Sequence, residues 1–252
     1  MKKSKRPFRL KRIIRNSPKI RAVRAHCQPL ANVLFRRLVA RHGFYFVDMP
    51  RTSSSSTRTE LGQHFGWAYR KTNQLKGFKL QLAPSHLTAK EARDILGQNL
   101  WEKLFTSTIV RNPWDRMFSF YSYRKGVRSI PAKWSFRDYV LALRNFVKNK
   151  HLPKIFDYGP YYYQMADFVL DDDGKILIDY IARYENRKQD LQYIGSRIGL
   201  PTLGQFIHAN KSRKENAHYS QFYDDETREL VRELCAKDIE MFGYEFENKP
   251  PS

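Results

Sequence analysis

Three β-prone runs, each closed by a turn signal and followed by a helix start, restrict this chain to a layered α/β architecture. Phe44-Tyr45-Phe46-Val47-Asp48-Met49 stops at Pro50 and leads into six consecutive hydroxyl residues, Thr52 to Thr57. Gly77 to Leu82 is the second run, ending through Pro84 at His86, after which Thr88-Ala89-Lys90-Glu91 is a capping box that opens a helix towards Leu96. Phe105-Thr106-Ser107-Thr108-Ile109-Val110 is the third, ending on Arg111 just before a helix that Pro113 can start. Strands that alternate with helices predict a parallel sheet with crossover helices.

Further along, Ser135 to about residue 147, Asn186 to Ile198 and Asp224 to Met241 carry helical signals, the last closed by Gly243. Phe168-Val169-Leu170 and Ile176-Leu177-Ile178 flank an Asp-rich turn, Asp171 to Gly174. Pro29 to Arg41 predicts a short helix with Leu30, Val33, Leu34, Leu38 and Val39 along one face.

The charge is uneven. Of 46 Lys and Arg against 25 Asp and Glu, many stand at the start, where no acidic residue precedes Asp48. Residues 1–25 therefore read as a basic, flexible arm broken by Pro7 and Pro18, and residues 26–252 as one domain. A net charge of +21 attracts polyanions, anionic lipid and phosphorylated ligands alike, so it does not choose among them. Cys27 and Cys235, far apart and without ligand-spaced neighbours, suggest neither a disulfide framework nor a zinc site. No apolar run approaches the roughly 18 residues of a membrane span, and no signal peptide follows the basic start. The expected protein is cytoplasmic, with peripheral contact to anionic membrane through the arm.

Two segments carry chemistry. A strand-to-helix loop exposes free backbone N–H groups and the positive end of a helix dipole, and here Arg51, Arg58 and the hydroxyls of Thr52, Ser53, Ser54, Ser55, Ser56 and Thr57 add donors for an anion. It lacks the glycines and Gly-Lys-Ser/Thr ending of a Walker A loop. Alone, the run also fits a solvated loop or a helix cap. In the second segment, Arg111 at a strand end and Ser119 two turns into the next helix can approach one phosphate, although Arg111 alone also fits a surface charge.

Taken together, the two segments resemble those of sulfotransferases that use 3′-phosphoadenosine 5′-phosphosulfate (PAPS). The first is similar to that family's 5′-phosphosulfate loop, Pro-Lys-Thr-Gly-Gly-Thr-Ser. The second, Val110-Arg111-Asn112-Pro113-Trp114-Asp115-Arg116-Met117-Phe118-Ser119, resembles its 3′-phosphate element nearly residue for residue. Lys211-Ser212, His218-Tyr219, Phe222 to Glu226 and Asp238 to Phe246 extend the likeness to the carbohydrate-modifying branch. The resemblance implies a P-loop-like three-layer fold, and PAPS as donor with adenosine 3′,5′-bisphosphate as product. It further implies a carbohydrate hydroxyl as acceptor, no metal and no specific nucleic acid. In it Arg51 stands for the family's lysine, and Ser53 and Ser54 for its two glycines.

His86 stands where that branch places its catalytic histidine, and an imidazole is a suitable base for a hydroxyl nucleophile. Lys211, Arg213 and Lys214 match a loop that closes over the nucleotide, and also fit a solvated charge run. Arg183-Tyr184-Glu185-Asn186 matches a further family pattern, in which Asn186 is expected to cap a helix. A basic nucleic-acid-binding module and a nucleotide-dependent kinase are the rival classes. The kinase lacks its Walker lysine and a magnesium-binding carboxylate.

Overall fold

The computed structural model describes residues 18–66, 74–75, 78–79, 86–149, 164–205 and 218–248. The chain runs through α1 (Pro18–His42), β1 (Phe44–Val47), α2 (Ser54–Phe65), the short strands β2 (Gln74–Leu75) and β3 (Phe78–Lys79), α3 (Ala89–Leu96) and α4 (Gln98–Trp101). It continues with β4 (Phe105–Val110), α5 (Pro113–Gly126), α6 (Phe136–Asn149), α7 (Ala166–Val169) and β5 (Tyr180–Arg183). Then come α8 (Arg187–Arg197), a 3₁₀ turn (Tyr219–Phe222), α9 (Asp225–Leu234) and α10 (Ala236–Phe242).

The central sheet has three parallel strands in the order β1-β4-β5. Its strands alternate between two cores, as the period of two requires. Phe44, Phe46 and Ile109 pack with Leu61 of α2 and with Leu191 and Ile194 of α8. Tyr45, Val47 and Val110 face the opposite way, into a larger cluster with Phe35 and Val39 of α1, Met117 of α5, Val140 of α6 and Val231 of α9. Helices thus cover both faces of a parallel sheet, which gives the expected three layers. Polar residues inside β4 are tied in place: Thr108 Oγ1 donates to the Val47 carbonyl at 2.8 Å, and Thr106 Oγ1 donates to Asp179 at 2.8 Å.

Two predicted strands of this sheet, β1 and β4, form as expected, as does the helix capped by Thr88. There Thr88 Oγ1 accepts from Glu91 N at 3.1 Å while the Glu91 carboxylate accepts from Thr88 N at 2.8 Å. The second predicted strand is different. Its described part, β3, pairs antiparallel with β2 outside the central sheet, and the third sheet strand is instead β5, which ends on Arg183 of the Arg183–Asn186 pattern. The runs beside the Asp-rich turn form the short helix α7 and one antiparallel bridge, Leu170 to Ile176. The single helix expected from Asp224 to Met241 breaks at Cys235. The break turns Asp238 fully into the core, where its Oδ1 accepts the N–H groups of Met165 at 2.6 Å and Ala166 at 2.7 Å.

The helix expected from Pro29 extends back to Pro18, a residue well suited to a first helical turn, so part of the predicted arm is helical. Its inward face is only partly the predicted one: Val39 is in the core and Leu38 packs on the second cluster, but the N-terminal half turns otherwise. Ala31, Phe35 and Val39, four residues apart, are buried, with the Phe35 ring edge-on to Tyr45 at 6.1 Å, whereas Leu30, Val33 and Leu34 are exposed. Phe35 wins the core because its ring fills the space above Tyr45. Phe35→Ala is therefore expected to lower stability by about 3–5 kcal/mol, and Leu30→Ala to change it by no more than about 0.5 kcal/mol. Denaturant melts of the two variants check this, and comparable losses would contradict the assigned face.

Candidate active site at the strand exits

Parallel register pairs Val47 with Thr108, so β1 and β4 leave the sheet side by side and their loops must meet. After β1, Arg51 and Ser53 adopt left-handed backbone, φ 67° and 71°, before α2 begins at Ser54. That conformation favours glycine and costs other residues about 1–2 kcal/mol. Of the two positions equated with family glycines, Ser53 keeps the glycine-like backbone and Ser54 is helical.

The hydroxyls divide in two. Thr52 Oγ1 donates to the Met49 carbonyl at 3.2 Å, Ser54 Oγ donates to the same carbonyl, and Thr57 Oγ1 lies 3.4 Å from the Ser53 carbonyl. All three residues are buried, and these bonds shape the loop. Arg51, Ser53, Ser55 and Ser56 remain partly exposed at the start of α2, the positive end of its dipole.

The loop is gripped by the β4–α5 unit. Arg116 Nε donates to the Pro50 carbonyl at 3.0 Å, and Arg111 Nη1 donates to the Arg51 carbonyl at 3.1 Å. Two consecutive carbonyls are therefore occupied by cations. Arg111 is itself held by Asp115, four residues on, with Nε and Nη2 each 2.7 Å from Oδ2, and it lies over the Tyr184 ring at 4.0 Å. These bonds use three of the five guanidinium N–H donors.

Arg51 crosses between the loops. Its Nε and Nη2 lie 3.1 and 2.9 Å from Ser119 Oγ, and the guanidinium sits 4.6 Å from the centroid of Tyr123, one turn beyond Ser119 on α5. Burial, and then the neighbouring Arg111, push its pKa down to about 10, which still leaves it cationic at neutral pH. Arg51, Arg111 and Ser119, separated by up to 68 residues, are thus brought to one place.

His86, also at positive φ (65°), sits beside the same strand exit. Its Nδ1 is 2.9 Å from the Asp48 carbonyl and 3.5 Å from Asp48 Oδ2. Asp48 is buried and accepts from Arg58 Nη1 at 2.7 Å. Arg58 is buried too, so it neutralises Asp48 and is not the anion contact that its place in the sequence predicts. His218 caps the 3₁₀ turn, with Nδ1 2.9 Å from Ser220 Oγ. Lys211 and Arg213, with Lys214 and Ser212, lie outside the described residues.

Two partners of the site, Asp48 and Tyr123, belong to none of the sequence motifs, and two more, Tyr184 and Glu185, come from the Arg183–Asn186 pattern. Asp48 ends an apolar run as the first acid of the chain, a signal that it needs a buried partner. Tyr123 shares a helical face with Ser119, and Tyr184 follows directly on β5. Glu185 accepts from Asn112 N at 2.7 Å and from Tyr244 OH at 3.0 Å, tying the start of α5 to the C-terminal segment. Asn186, expected to cap α8, makes no side-chain cap.

A model of the sulfotransferase family matches residues 31–245. The chain belongs to the sulfotransferase family. It is also similar, at 26% identity over 109 residues, to an uncharacterised protein of Archaeoglobus fulgidus, a match that covers 43% of this chain and 79% of that one. No solved structure matches. Membership places this sulfotransferase among enzymes that transfer sulfate.

The sulfotransferase's loop depends on a buried ion pair behind it. Arg116 Nη1 is 4.0 Å from Asp238 Oδ2, with both side chains almost fully enclosed. Burial pushes the Asp238 carboxyl up to about 6 while Arg116 pulls the other way. The folded carboxyl holds its proton more tightly than the unfolded one, so this contribution to stability is complete below about pH 4 and is lost as pH rises through about 6. Asp238→Asn keeps an acceptor for Met165 and Ala166 and is expected to flatten this limb of the melting temperature between pH 4 and 6. An unchanged pH slope would show that Asp238 does not carry it.

Proposed function

We propose that this enzyme moves a sulfuryl group from PAPS to a carbohydrate hydroxyl, releasing adenosine 3′,5′-bisphosphate. The observation that carries this reading is the meeting of Arg51 from one strand exit with Ser119 and Arg111 from the other. A donor with two separated anionic groups needs two grips of different origin on one surface. The first turn of α2 faces the 5′ side with N–H groups, whose neighbouring carbonyls at Pro50 and Arg51 are held by Arg116 and Arg111. The spare N–H donors of Arg111, together with Ser119, form the 3′ side, and the cationic Arg51 belongs to the phosphosulfate.

His86 is the base. With Nδ1–H donated to the Asp48 carbonyl, Nε2 carries the lone pair that takes the acceptor's proton, and the Asp48 carboxylate faces the imidazolium that results. The acceptor oxygen forms a bond to sulfur as the bond from sulfur to the bridging phosphate oxygen breaks. That oxygen leaves with both electrons, and its charge falls within reach of Arg51 and the loop N–H groups. Positioning and charge stabilisation supply the rate, as in phosphoryl transfer. The carbohydrate acceptor rests on the resemblance of the C-terminal segment to the carbohydrate branch, and on a basic surface suited to acidic glycans. Lys211 and Arg213 are proposed to close over the nucleotide, and the cytoplasm remains the proposed compartment. No helix among the described residues is long and apolar enough to cross a membrane.

Labelled PAPS offered with a panel of glycans tests the reaction. The wild type is expected to label at least one glycan, and His86→Ala to lose about 10²-fold or more of that rate while binding adenosine 3′,5′-bisphosphate within about twofold of wild type. Transfer by the alanine variant at the wild-type rate would remove His86 from the reaction. A wild type that hydrolyses ATP and transfers no sulfate would overturn the assignment.

A further inference from the structure

Helix α1 presents an apolar and cationic face that is exposed among the described residues. Leu30 is 74% exposed, Val33 46% and Leu34 41%, and the exposed Arg37 and Arg41 continue the same face at helical spacing. The opposite face, Ala31, Phe35 and Val39, is seated in the core, so the helix cannot roll to hide its leucines without losing Phe35. The charge of the whole chain is polarised towards this element. Residues 1–47 contain 14 Lys and Arg and no Asp or Glu, which leaves 32 basic against 25 acidic residues in the other 205.

We infer that α1 is an interfacial helix that seats Leu30, Val33 and Leu34 at the acyl boundary of a membrane leaflet rich in anionic lipid. Aliphatic side chains flanked by arginines on one exposed helical face match both components of such a surface, the hydrocarbon and the negative headgroups. A polyanion such as nucleic acid would use the charge and leave the leucines in water. A second copy of the chain would bring two segments of like charge together, on an apolar contact far below the roughly 800 Å² per partner of a stable interface. Of these three, lipid alone uses both features. The inference is independent of the sulfate-transfer reading.

Cosedimentation of the full chain with sucrose-loaded vesicles tests it, using phosphatidylcholine alone and with about 30% phosphatidylserine at about 0.15 M salt. Wild type is expected on the serine-containing vesicles only. Leu30→Lys/Leu34→Lys adds positive charge while removing apolar surface, so the two sources of binding shift in opposite directions. The inference predicts at least roughly tenfold weaker partitioning for this variant, with an unchanged melting curve, and a similar loss for Leu30→Ser/Leu34→Ser. Equal or tighter binding by the lysine variant would show that charge alone holds the protein to lipid, and would overturn the inference. So would absence of wild type from the vesicles, its removal by duplex DNA of equal phosphate charge, or a dimer in light scattering that the lysine substitutions abolish.

Discussion

Parallel pairing of β1 against β4 is the constraint on which everything at the site depends. Two strands that run together must also end together, and each then hands the chain to a helix through a short loop. The two loops cannot avoid one another, although Arg51 and Ser119 are 68 residues apart. Had β1 and β4 been antiparallel, Met49 and Arg111 would lie at opposite ends of the sheet, and no anion could be held by both. Both strands are almost wholly buried, which fixes their register through two cores at once, since a slip of one residue would exchange Phe44 and Phe46 for Tyr45 and Val47.

Given that adjacency, arginines do the shaping. Pro50 and Arg51 carbonyls would present negative dipoles to a bound anion if the loop were free to turn them inward. Arg116 and Arg111 occupy them, and the left-handed backbone at Arg51 and Ser53 is held by these contacts together with the hydroxyl bonds to Met49. Arg116 is buried in turn with Asp238, which also closes the N-terminus of α7. Strain in the loop is thus supported from the core, through a pair whose burial is unfavourable in isolation. One short motif therefore holds residues with different tasks: Arg111 reaches the two loops, and Arg116 holds the wall behind them.

What could be read from the sequence follows the range of the signals. β1, β4, the Thr88 capping box and the Pro113 helix start are local, set by a few adjacent residues, and the structure has them where the residues place them. The face of α1 is not local. Leu30 to Val39 contain enough apolar residues for more than one helical stripe, and only the presence of Tyr45 across the interface selects Phe35. The same limit explains β5, a four-residue strand recognisable only once β4 is beside it, and the break at Cys235, which serves the N–H groups of a segment 70 residues earlier. In the site, the residue types of the hydroxyl run pointed to an anion, but sequence does not say which hydroxyls turn inward. Thr52, Ser54 and Thr57 do, towards the Met49 and Ser53 carbonyls. The pairing of Arg58 obeys the same limit: its partner Asp48 lies ten residues away in sequence and 2.7 Å away in space.

The central claim is that the two loops form one site for a nucleotide with separate 3′ and 5′ anions. Calorimetric titration with adenosine 3′,5′-bisphosphate, adenosine 5′-monophosphate and ATP, on the wild type and on Arg111→Ala, tests it most directly. The account predicts that the wild type prefers the bisphosphate over both others by about 10-fold or more, and that Arg111→Ala removes most of its preference over the monophosphate. Equal affinity for the bisphosphate and the monophosphate, or a preference for ATP, would contradict it.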